Sequence, residues 1–377
     1  MMLHFGDPAK LKTKRVVFEE IFIAHDSGTL EQLKELSSRR RAVEESINES
    51  SFLTEVIARE MAGGLTSRYE QDLQKLEQYL PLLQNLMIHV QSLSNNRIIV
   101  HWTSGLKIRW TSALSTSSIF NLMGSKFYNI DSLHLELGMN LFLYGAILRE
   151  RALEVLTEDL VQSATLYRKA AGVYHYLVNE VLRSLQPQFS QERPPECMSS
   201  VCSIMSLICL AEAQAVTTRK AEEKGTTQGL LAKLHYGITE LLDEASSIIH
   251  SVKKDCKDIS ARLVGFISSC RALHELRSQK HLAEDLKGAG QLGVAIGVLR
   301  HGLAKAKMPG EESWCLVFRQ EMDAICEMLR KFEHENEFVW RNKIATGDEL
   351  PFLQGTRIVT VIPYCIQRWE RELVFRI

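Results

Sequence analysis

The stretch Val201–Tyr236, which reads VCSIMSLICLAEAQAVTTRKAEEKGTTQGLLAKLHY, decides the fold of this chain. Its first part is apolar and rich in small residues as far as Lys220, a pattern that predicts a buried helix. A polar break follows at Glu222–Thr227, and GLLAKLHY then begins a second, amphipathic helix. Two helices joined by a short turn form a helical hairpin, and we expect the upstream chain to support this pair.

Helical runs continue on both sides of this hairpin. Small residues stand beside aromatic ones in Ala164–Tyr167 and Ala170–Tyr174, which suits tightly packed antiparallel hairpins because Ala and Gly let backbones approach. The pattern predicts a TPR-like array without a strict repeat length. The predicted helices are Leu133–Leu156, Thr157–Leu185, Ser199–Lys220, Gly229–Val252, Ile259–Leu286, Leu292–Ala306 and Glu312–Trp340, with turns at Pro194–Pro195, Gly225, Gly288 and Pro309–Gly310.

A small antiparallel sheet is expected near the N-terminus. Val16–Ile23 is rich in β-branched and aromatic residues and is interpreted as a strand. Arg97–Trp102 and Leu106–Trp110 flank the Gly-containing link Thr103–Gly105, which predicts a hairpin. Far downstream, Arg357–Ile362 is the next predicted strand.

Helices are predicted between these N-terminal strands. A capping box beginning at Thr29 predicts a helix to about Ser50, and Phe52–Met61 predicts a second one. Apolar residues recur at three- to four-residue spacing over Leu73–Val90, with Pro81 as the expected kink.

Length and composition describe a chain that can bury a large core. It has 377 residues, 45% hydrophobic and 24% charged, and we interpret it as a soluble globular protein. The length alone suggests two or three domains, but a helical array can exceed that rule as a single domain. Lys and Arg total 45 against 46 for Asp and Glu, and the net charge of -1 argues against a dedicated nucleic-acid binder.

Cysteine and hydropathy patterns favour a reducing cytosol. The 8 cysteines form no CxxC pair, and several lie in apolar helical runs where Cys acts as a small hydrophobe. The first residues lack the apolar core of a secretory signal, and no run long and apolar enough to span a bilayer is expected. Val374–Ile377 has no Cys for a prenyl anchor, so we expect any membrane contact to be peripheral.

No motif predicts a catalytic site, a metal site or a cofactor. Gly288–Gly293 matches G-x-G-x-x-G, but the preceding residues are helical by composition, so these glycines are interpreted as a helix–helix turn. His281 and Glu284 stand three apart on one helix face, yet no third ligand follows at a useful spacing, which favours a solvated face. A binding protein is therefore favoured over an enzyme, whose residues would have to converge only in the fold.

Two further patterns suggest surfaces. Leu230 and Leu234 lie on one helix face with Lys233 beside them, and such a stripe is ordinarily core. Basic clusters near the N-terminus are ordinarily solvated faces; the alternative is attraction to an anionic membrane, worth about 1 kcal/mol per basic residue. The candidate membrane-facing residues are Lys12, Lys14, Arg15, Arg39, Arg40 and Arg41.

Two separated motifs resemble a known family. Leu207–Gln214 (LICLAEAQ) followed by Leu230–Leu234 (LLAKL) resembles the L-x-x-L-A-Q-A-Q and A-K-L signature of the Bro-one domain, found in ALIX-type endosomal adaptors. Glu335–Trp340 (ENEFVW) resembles that family's D-N-D-x-I-Y segment. The likeness covers essentially the whole chain. Single-domain members, including plant endosomal-targeting BRO-like proteins, are the expected nearest relatives because no coiled arm or Pro-rich tail follows.

The resemblance implies a mainly α, boomerang-shaped helical domain with a TPR-like helical-hairpin core and a small antiparallel β-sheet near the N-terminal part. A single domain would cover residues 1–377. The sheet and N-terminal helices would reach to about 115, the helical core would cover about 116–340, and an extended C-terminal tail, 341–377, would pack back. The protein would be a non-catalytic cytoplasmic adaptor, peripheral on endosomes and multivesicular bodies.

The resemblance also implies a partner. The family's usual partner is the C-terminal amphipathic helix of Snf-type, CHMP-four-like subunits of ESCRT-III, held in a concave apolar groove. Carried over by position, Leu230 and Leu234 would be exposed apolar anchors with Lys233 as a neighbour. The other groove positions would be Thr217, where some members carry a large aromatic, and the polar Asp159 and Gln162.

An ESCRT-III adaptor that supports multivesicular-body sorting and vacuolar or lysosomal trafficking is therefore the leading hypothesis. A peripheral membrane-surface scaffold acting through the basic clusters is the first alternative. An enzyme is the second, and a deep pocket with converging titratable groups would favour it.

Overall fold

The computed structural model describes residues 2–48, 67–116, 126–183, 193–252 and 258–377, and within these ranges the chain is mainly helical. The predicted fold class, mainly α with a small antiparallel sheet, is confirmed. The helices are α1 (Phe18–Ile21), α2 (Ser27–Asn48), α3 (Arg68–Ser92), α4 (Arg97–Ser104), α5 (Leu133–Glu154), α6 (Leu160–Tyr176), α7 (Ser199–Glu223), α8 (Gln228–Val252), α9 (Ala261–Gly288), α10 (Leu292–Lys305) and α11 (Glu312–Glu335). Between α4 and α5 lie strands β1 (Ile108–Thr111) and β2 (Phe127–Ile130), and π-helical turns, Leu177–Val181 and Asn336–Trp340, extend α6 and α11.

From α5 to α11 each helix packs on the next helix along the chain. Ala170 and Ala171 are fully buried where α6 meets its neighbours, and the ring of Tyr174 packs edge-on against Phe142 at 5.3 Å between centroids. Small residues thus allow close backbone approach while an aromatic ring fills the remaining volume. The helical hairpins are thus packed through small and aromatic residues, as the sequence predicted.

The sheet differs in its strands from the predicted hairpin. β1 pairs antiparallel with β2, with Ile108 opposite Ile130. The segment predicted as the first strand, Arg97–Trp102, is helical because Asn96 caps it: the Asn96 side chain accepts a hydrogen bond from the backbone N–H of Ile98 at 2.8 Å. Its β-branched residues suggested a strand, but the local cap decides the conformation.

The predicted strand Val16–Ile23 is also wrong. Phe18–Ile21 form one helical turn, and Phe18 and Phe22, four residues apart, are both fully buried. Helix α2 begins close to the predicted place, but its first turn is capped by Asp26, which accepts a hydrogen bond from the backbone N–H of Thr29 at 2.7 Å. The predicted helix Phe52–Met61 lies outside the described residues.

Helices α3 and α7 concern two further expectations, a kink at Pro81 and the lack of a run that could span a bilayer. Pro81 lies inside α3, and the helix is continuous from Arg68 to Ser92. Helix α7 is long and apolar enough to cross a membrane by length and composition, but 78% of its most apolar stretch is buried inside the protein. A helix that is apolar on all sides is also typical of the core of a helical array, and α7 is such a helix.

The glycines of Gly288–Gly293 serve a helix–helix turn, as predicted. Gly290 adopts φ 76°, a left-handed conformation that glycine reaches without strain, between the end of α9 and the start of α10. At Gly293 a side chain would overlap the backbone carbonyl of Lys343, so this glycine allows close packing. Neither position follows a strand, as a dinucleotide site would require.

Residues 341–377 form an extended tail that packs back across the helices. The backbone N–H of Ala345 bonds to α10 at Gly293, that of Thr356 to α8 at Lys233 and that of Ile362 to α6 at Arg168, at 3.3, 2.9 and 3.1 Å. Because these partners are helix carbonyls, Arg357–Ile362 is extended without belonging to a sheet, and the predicted strand is wrong.

Two glycines bring the tail into contact with the array. A side chain at Gly172 on α6 would overlap the carbonyl of Ile362, and one at Gly237 on α8 would overlap that of Thr356. Beyond this point the tail reaches the N-terminal part of the chain, where the N–H of His25 donates to the carbonyl of Val374 at 2.9 Å.

Candidate functional site

The first two turns of α8 carry the leucines expected as anchors. Leu230 is 43% exposed and Lys233 is exposed, whereas Leu234 is only 3% exposed. The expectation that Leu234 is an exposed anchor is therefore wrong. Its backbone carbonyl accepts a hydrogen bond from Nε2 of Gln214 at 2.8 Å, which places it at the junction of α8 with α7.

The polar groove positions lie at the start of α6. Asp159 is exposed and caps the helix, because its carboxylate accepts hydrogen bonds from the backbone N–H groups of Val161 and Gln162 at 2.7 and 3.1 Å. Gln162 is exposed, and Val161 is an apolar residue that is 51% exposed. The Asp159 charge therefore stabilises the helix N-terminus while it remains accessible to solvent.

Thr217 occupies the corresponding end of α7. It is half-buried, and its hydroxyl donates to the carbonyl of Ala213 at 2.8 Å, so its polar group is satisfied within its own helix. A threonine at this position leaves the volume that an aromatic side chain would fill.

Side-chain hydrogen bonds set the order of the three helices. Ser206 on α7 donates to the carbonyl of Ala171 on α6 at 3.0 Å, and Gln214 donates to α8 at Leu234. Because sequential hairpins run antiparallel, these contacts place the start of α6, the end of α7 and the start of α8 at one end of the array. All six predicted groove positions belong to this end.

The tail borders this end, and sequence reasoning did not assign it a role there. Gln214 accepts a hydrogen bond from the N–H of Ile358 at 3.2 Å and donates to the carbonyl of Thr356 at 2.9 Å. Val359 packs on the cluster of Tyr167 and Val216, while Ile358 is 49% exposed. We call the accessible residues beside this part of the tail the open strip: Val161, Gln162, Thr217, Leu230, Lys233 and Ile358.

Residues of the motif Leu207–Gln214 make the contacts that hold α7 in place beneath the open strip. Ala211 and Ala213 are fully buried, as predicted for the spine of this helix. Glu212 forms a buried two-point ion pair with Arg149 of α5, with Nε and Nη2 donating to the carboxylate oxygens at 2.7 and 2.6 Å. A buried charge is tolerated only when it is paired, so this glutamate orients α7 on α5. With Gln214 holding the tail, the motif has a structural role at each polar position.

The basic clusters divide into buried and exposed residues. Arg40 is fully buried, with Nε donating to Glu136 at 2.7 Å, and its assignment as a membrane-facing residue is wrong. Arg39 donates to Gln78 at 2.6 Å and Arg41 pairs with Glu45 at 2.7 Å, both on the surface. Lys12, Lys14 and Arg15 are exposed.

A cavity of about 890 Å³ opens between the N-terminal segment, α9 and the start of α11. Arg262, one of its charged lining residues, bonds to Asp7 and Glu311, each at 2.6 Å. The hydrogen bond with Glu311 is the main cause that raises the pKa of Arg262, and the same bond lowers the pKa of Glu311. Such groups are firmly ionised, whereas acid–base catalysis needs groups that titrate near neutral pH. The cavity does not favour the enzyme hypothesis.

Among the described residues, Glu222, His235 and His281 bring three ligand atoms within 4.8 Å of one another. Of His281 and Glu284, which were interpreted as a solvated helix face, only His281 belongs to this group. The other two come from α7 and α8, and no sequence spacing links them.

The fold and the motif together define a class, a helical scaffold domain that is closed by an extended tail. The BRO1-like domain profile matches residues 36–374, most of the chain, and the chain therefore belongs to the BRO1-like domain family. This is the family that the two motifs resemble. A curated relative, Apoptosis-linked gene 2-interacting protein X 1 of Caenorhabditis elegans, is 23% identical over 297 residues. The match spans 75% of this chain and 32% of that protein, so the chain covers about a third of the relative's length.

Solved structures of similar fold agree with this assignment. A structure described as an ALIX BRO1 CHMP4C complex matches with a TM-score of 0.67 at 19% identity, covering 94% of both chains. ALIX in complex with a viral late-domain peptide matches with a TM-score of 0.71 at 20% identity, covering 94% of this chain and 48% of that one. A structure that describes endosomal targeting by the Bro1 domain matches with a TM-score of 0.66 at 14% identity over 96% of this chain and 94% of that one.

Proposed function

We propose that this protein is a non-catalytic adaptor that binds the C-terminal amphipathic helix of a Snf-type ESCRT-III subunit on the open strip. The protein would act in the cytoplasm, peripherally on endosomes, in multivesicular-body sorting. Family membership supports the proposal, and one protein of similar fold is described in complex with CHMP4C.

The observation that carries the proposal is the exposure of Leu230. This residue lies in the first turn of an otherwise well-packed helix, and yet 43% of its surface faces solvent. Val161 and Ile358, at 51 and 49% exposure, add apolar surface from α6 and the tail. An amphipathic helix buries a stripe of apolar residues at i, i+3, i+4 and i+7, and these three side chains offer it exposed apolar surface.

The charged rim suits a partner with residues of both signs. Lys233 stands beside Leu230 on α8, and Asp159 is exposed across the strip at the start of α6. Rim charges set the register of a docked helix and its rate of association more than its affinity. With three or four apolar anchors and a short helix to order, we expect a dissociation constant on the order of micromolar. Avidity on a polymer of many subunits would raise the effective affinity.

The test is binding of a fluorescent Snf-type C-terminal helix peptide to the wild type and to Leu230→Asp. Anisotropy should show micromolar binding to the wild type and a loss of at least about tenfold in the variant, because a carboxylate then faces the partner's apolar stripe. Circular dichroism melting curves of the two proteins should agree within a few degrees.

The matched control is Leu316→Asp, which places the same change on α11 at a leucine that is 61% exposed. Its peptide affinity should equal that of the wild type. Equal loss in both variants, or normal binding by Leu230→Asp, would place the partner elsewhere. An unfolded Leu230→Asp protein would show that Leu230 belongs to the core.

A membrane-surface role remains the second candidate, because Lys12, Lys14 and Arg15 are exposed in one segment. Their charge would attract anionic lipid and be screened by salt. Co-sedimentation with vesicles should then rise with phosphatidylserine content, fall with salt and survive Leu230→Asp. Replacing these three residues by Glu should abolish it, and unchanged sedimentation of that variant would refute the role.

A further inference from the structure

Three side chains from three helices meet beside the α7–α8 turn. Glu222 comes from the end of α7, His235 from the second turn of α8 and His281 from α9. One carboxylate oxygen of Glu222 lies 3.1 Å from Nε2 of His235 and 3.4 Å from Nε2 of His281. The two imidazole rings stack nearly parallel, with an interplanar angle of 9° and centroids 5.3 Å apart. Both Nε2 atoms thus lie close to the same carboxylate oxygen.

These separations match the edges of a metal tetrahedron. Zinc binds imidazole nitrogen and carboxylate oxygen at about 2.0–2.2 Å, which sets ligand atoms of a tetrahedral site about 3.3–3.6 Å apart. Of the two distances from Glu222 Oε1, 3.4 Å falls in that range and 3.1 Å is slightly shorter, while all three ligand atoms lie within 4.8 Å of one another. Two imidazoles and one carboxylate are also a donor set that zinc accepts with a fourth position left for water.

The outer nitrogens of both histidines have partners that orient the rings. Nδ1 of His281 lies 2.6 Å from Oε1 of Gln228, an oxygen that only accepts, so this nitrogen carries the proton and Nε2 presents its lone pair to Glu222. In the neutral ring that lone pair faces a carboxylate oxygen, an arrangement that a cation between them stabilises. A carbonyl oxygen on the outer nitrogen is the usual support of a metal-binding histidine.

His235 has a second histidine behind it. Its Nδ1 lies 3.0 Å from Nδ1 of His274, which is fully buried and whose Nε2 has no hydrogen-bond partner among the described residues. His274 therefore donates from Nδ1 to His235, which leaves its Nε2 as an unprotonated acceptor. In that tautomer His235 carries its remaining proton on Nε2, facing Glu222, and this proton is the one that a metal ion would displace.

The charges around the cluster are compatible with a cation. The cluster supplies one carboxylate and two imidazole rings, and the side chain of His235 is 3% exposed. Two cations of the same helix as His281, Arg277 and Lys280, are paired with Glu321 at 2.8 and 3.3 Å.

We propose that Glu222, His235 and His281 bind one zinc ion, which joins the end of α7 and the start of α8 to α9. The Glu222 side chain is 38% exposed, so the ion can enter from solvent and keep a water as its fourth ligand. The carboxylate of Glu284, 4.0 Å from Nδ1 of His281, adds negative charge at the rim. The site is independent of the proposed partner, although α8 carries residues of both.

The experiment uses the full chain with Cys326→Ser and Cys365→Ser in every protein, because these two exposed thiols would compete for zinc. After chelation and dialysis, zinc is titrated against a chromogenic chelator. The parent protein should bind one equivalent. Glu222→Gln and His281→Gln should each weaken binding by at least about tenfold, since each removes a ligand.

Matched controls test the same chemistry outside the cluster. Glu223→Gln removes the neighbouring carboxylate, which pairs with Arg219 instead, and His301→Gln removes an exposed histidine on α10. Both should keep the parent affinity. Cobalt(II) should give the intense visible bands of a four-coordinate ion in the parent and in both controls, and weak bands in Glu222→Gln. Saturating zinc should also raise the melting temperature of the parent but not that of Glu222→Gln.

Three results would overturn the proposal. They are the absence of one-equivalent binding, equal affinity in cluster and control variants, and six-coordinate cobalt spectra throughout. Each would mean that the cluster is a hydrogen-bonded network only. Circular dichroism of Glu222→Gln and His281→Gln keeps the comparison valid, because both residues reach the surface and neither change should unfold the chain.

Discussion

Leu230 and Leu234 are identical residues one helical turn apart, and yet one is 43% and the other 3% exposed. The first turn of α8 faces solvent, whereas the second meets Gln214 of α7 and the tail at Thr356. Part of this contact comes from the tail, which lies more than a hundred residues downstream in the sequence. A stripe of apolar residues therefore shows which face of a helix is buried, but only the tertiary path of a distant segment shows where along that face burial ends.

The largest expected effect distinguishes the two leucines directly. Leu234→Ala should lower the free energy of unfolding by about 2–5 kcal/mol, because it leaves a cavity in packed surroundings. Leu230→Ala should change it by no more than about 0.5 kcal/mol, as at other surface positions. Urea unfolding followed by circular dichroism measures both, and equal losses would show that the first turn is as well packed as the second.

Acidification should lower the free energy of unfolding through His235, a buried residue of the same helix. The ordinary histidine pKa is 6.5 and that of His235 is about 4, with burial as the main cause. Between these values the unfolded chain binds a proton that the folded chain does not, so stability is present above pH 6.5 and is lost as the pH falls toward 4. The loss from this group is at most about 3 kcal/mol.

Urea midpoints at several pH values between 7 and 4, with a chelator present, measure this loss. His235→Asn should reduce the slope in that interval, while substitution of the exposed His301 should leave it unchanged. A slope that is identical in the wild type and in His235→Asn would assign the acid sensitivity to other groups.

A third prediction concerns the contacts of the tail with α6 and α8. Gly172→Ala and Gly237→Ala should each lower stability by about 1–3 kcal/mol, because the added methyl group overlaps a tail carbonyl. Amide exchange should then increase in residues 356–362. Gly288→Ala is the matched control, since nothing lies within 4 Å of a side chain there, and it should leave both stability and exchange nearly unchanged.

The smallest effect concerns the open end of α7. Thr217→Phe should add apolar contact area on the open strip and strengthen peptide binding by a few-fold, on the order of 1 kcal/mol. Thr217 is half-buried, so stability should change little. Weaker binding by the variant would indicate that the ring fills the space of the partner rather than contacting it.

Much of the helical part was predictable because its signals are local. The runs beginning at Leu133, Ser199 and Glu312 are helices with starts at those residues, and the polar break after α7 is the turn to α8. The errors occur where two local signals compete. At Arg97–Ser104 the composition favours a strand and the Asn96 cap favours a helix, and the cap prevails.

The candidate site was predictable only in part, because its boundaries are tertiary. Leu230 and Lys233 are exposed as the family motif implies, but burial of Leu234 and of Arg40 depends on partners from distant helices and from the tail. The cluster of Glu222, His235 and His281 is a similar case. Its members lie 13 and 46 residues apart along the chain, and no spacing rule connects them.

The pairing of residues 374–376 with residues 23–29 constrains the order of folding. The backbone of Val374 donates to Thr29, 345 residues earlier, and accepts from His25, while Arg376 donates to Ile23. Contacts of such sequence separation form late, because a long loop must close first. At a synthesis rate of about 5–20 residues per second, the first of these partners precedes the second by roughly 17–70 s. During that interval residues 23–29 have no tail to pair with, so this part of the N-terminal segment completes its contacts only after residues 374–376 are made.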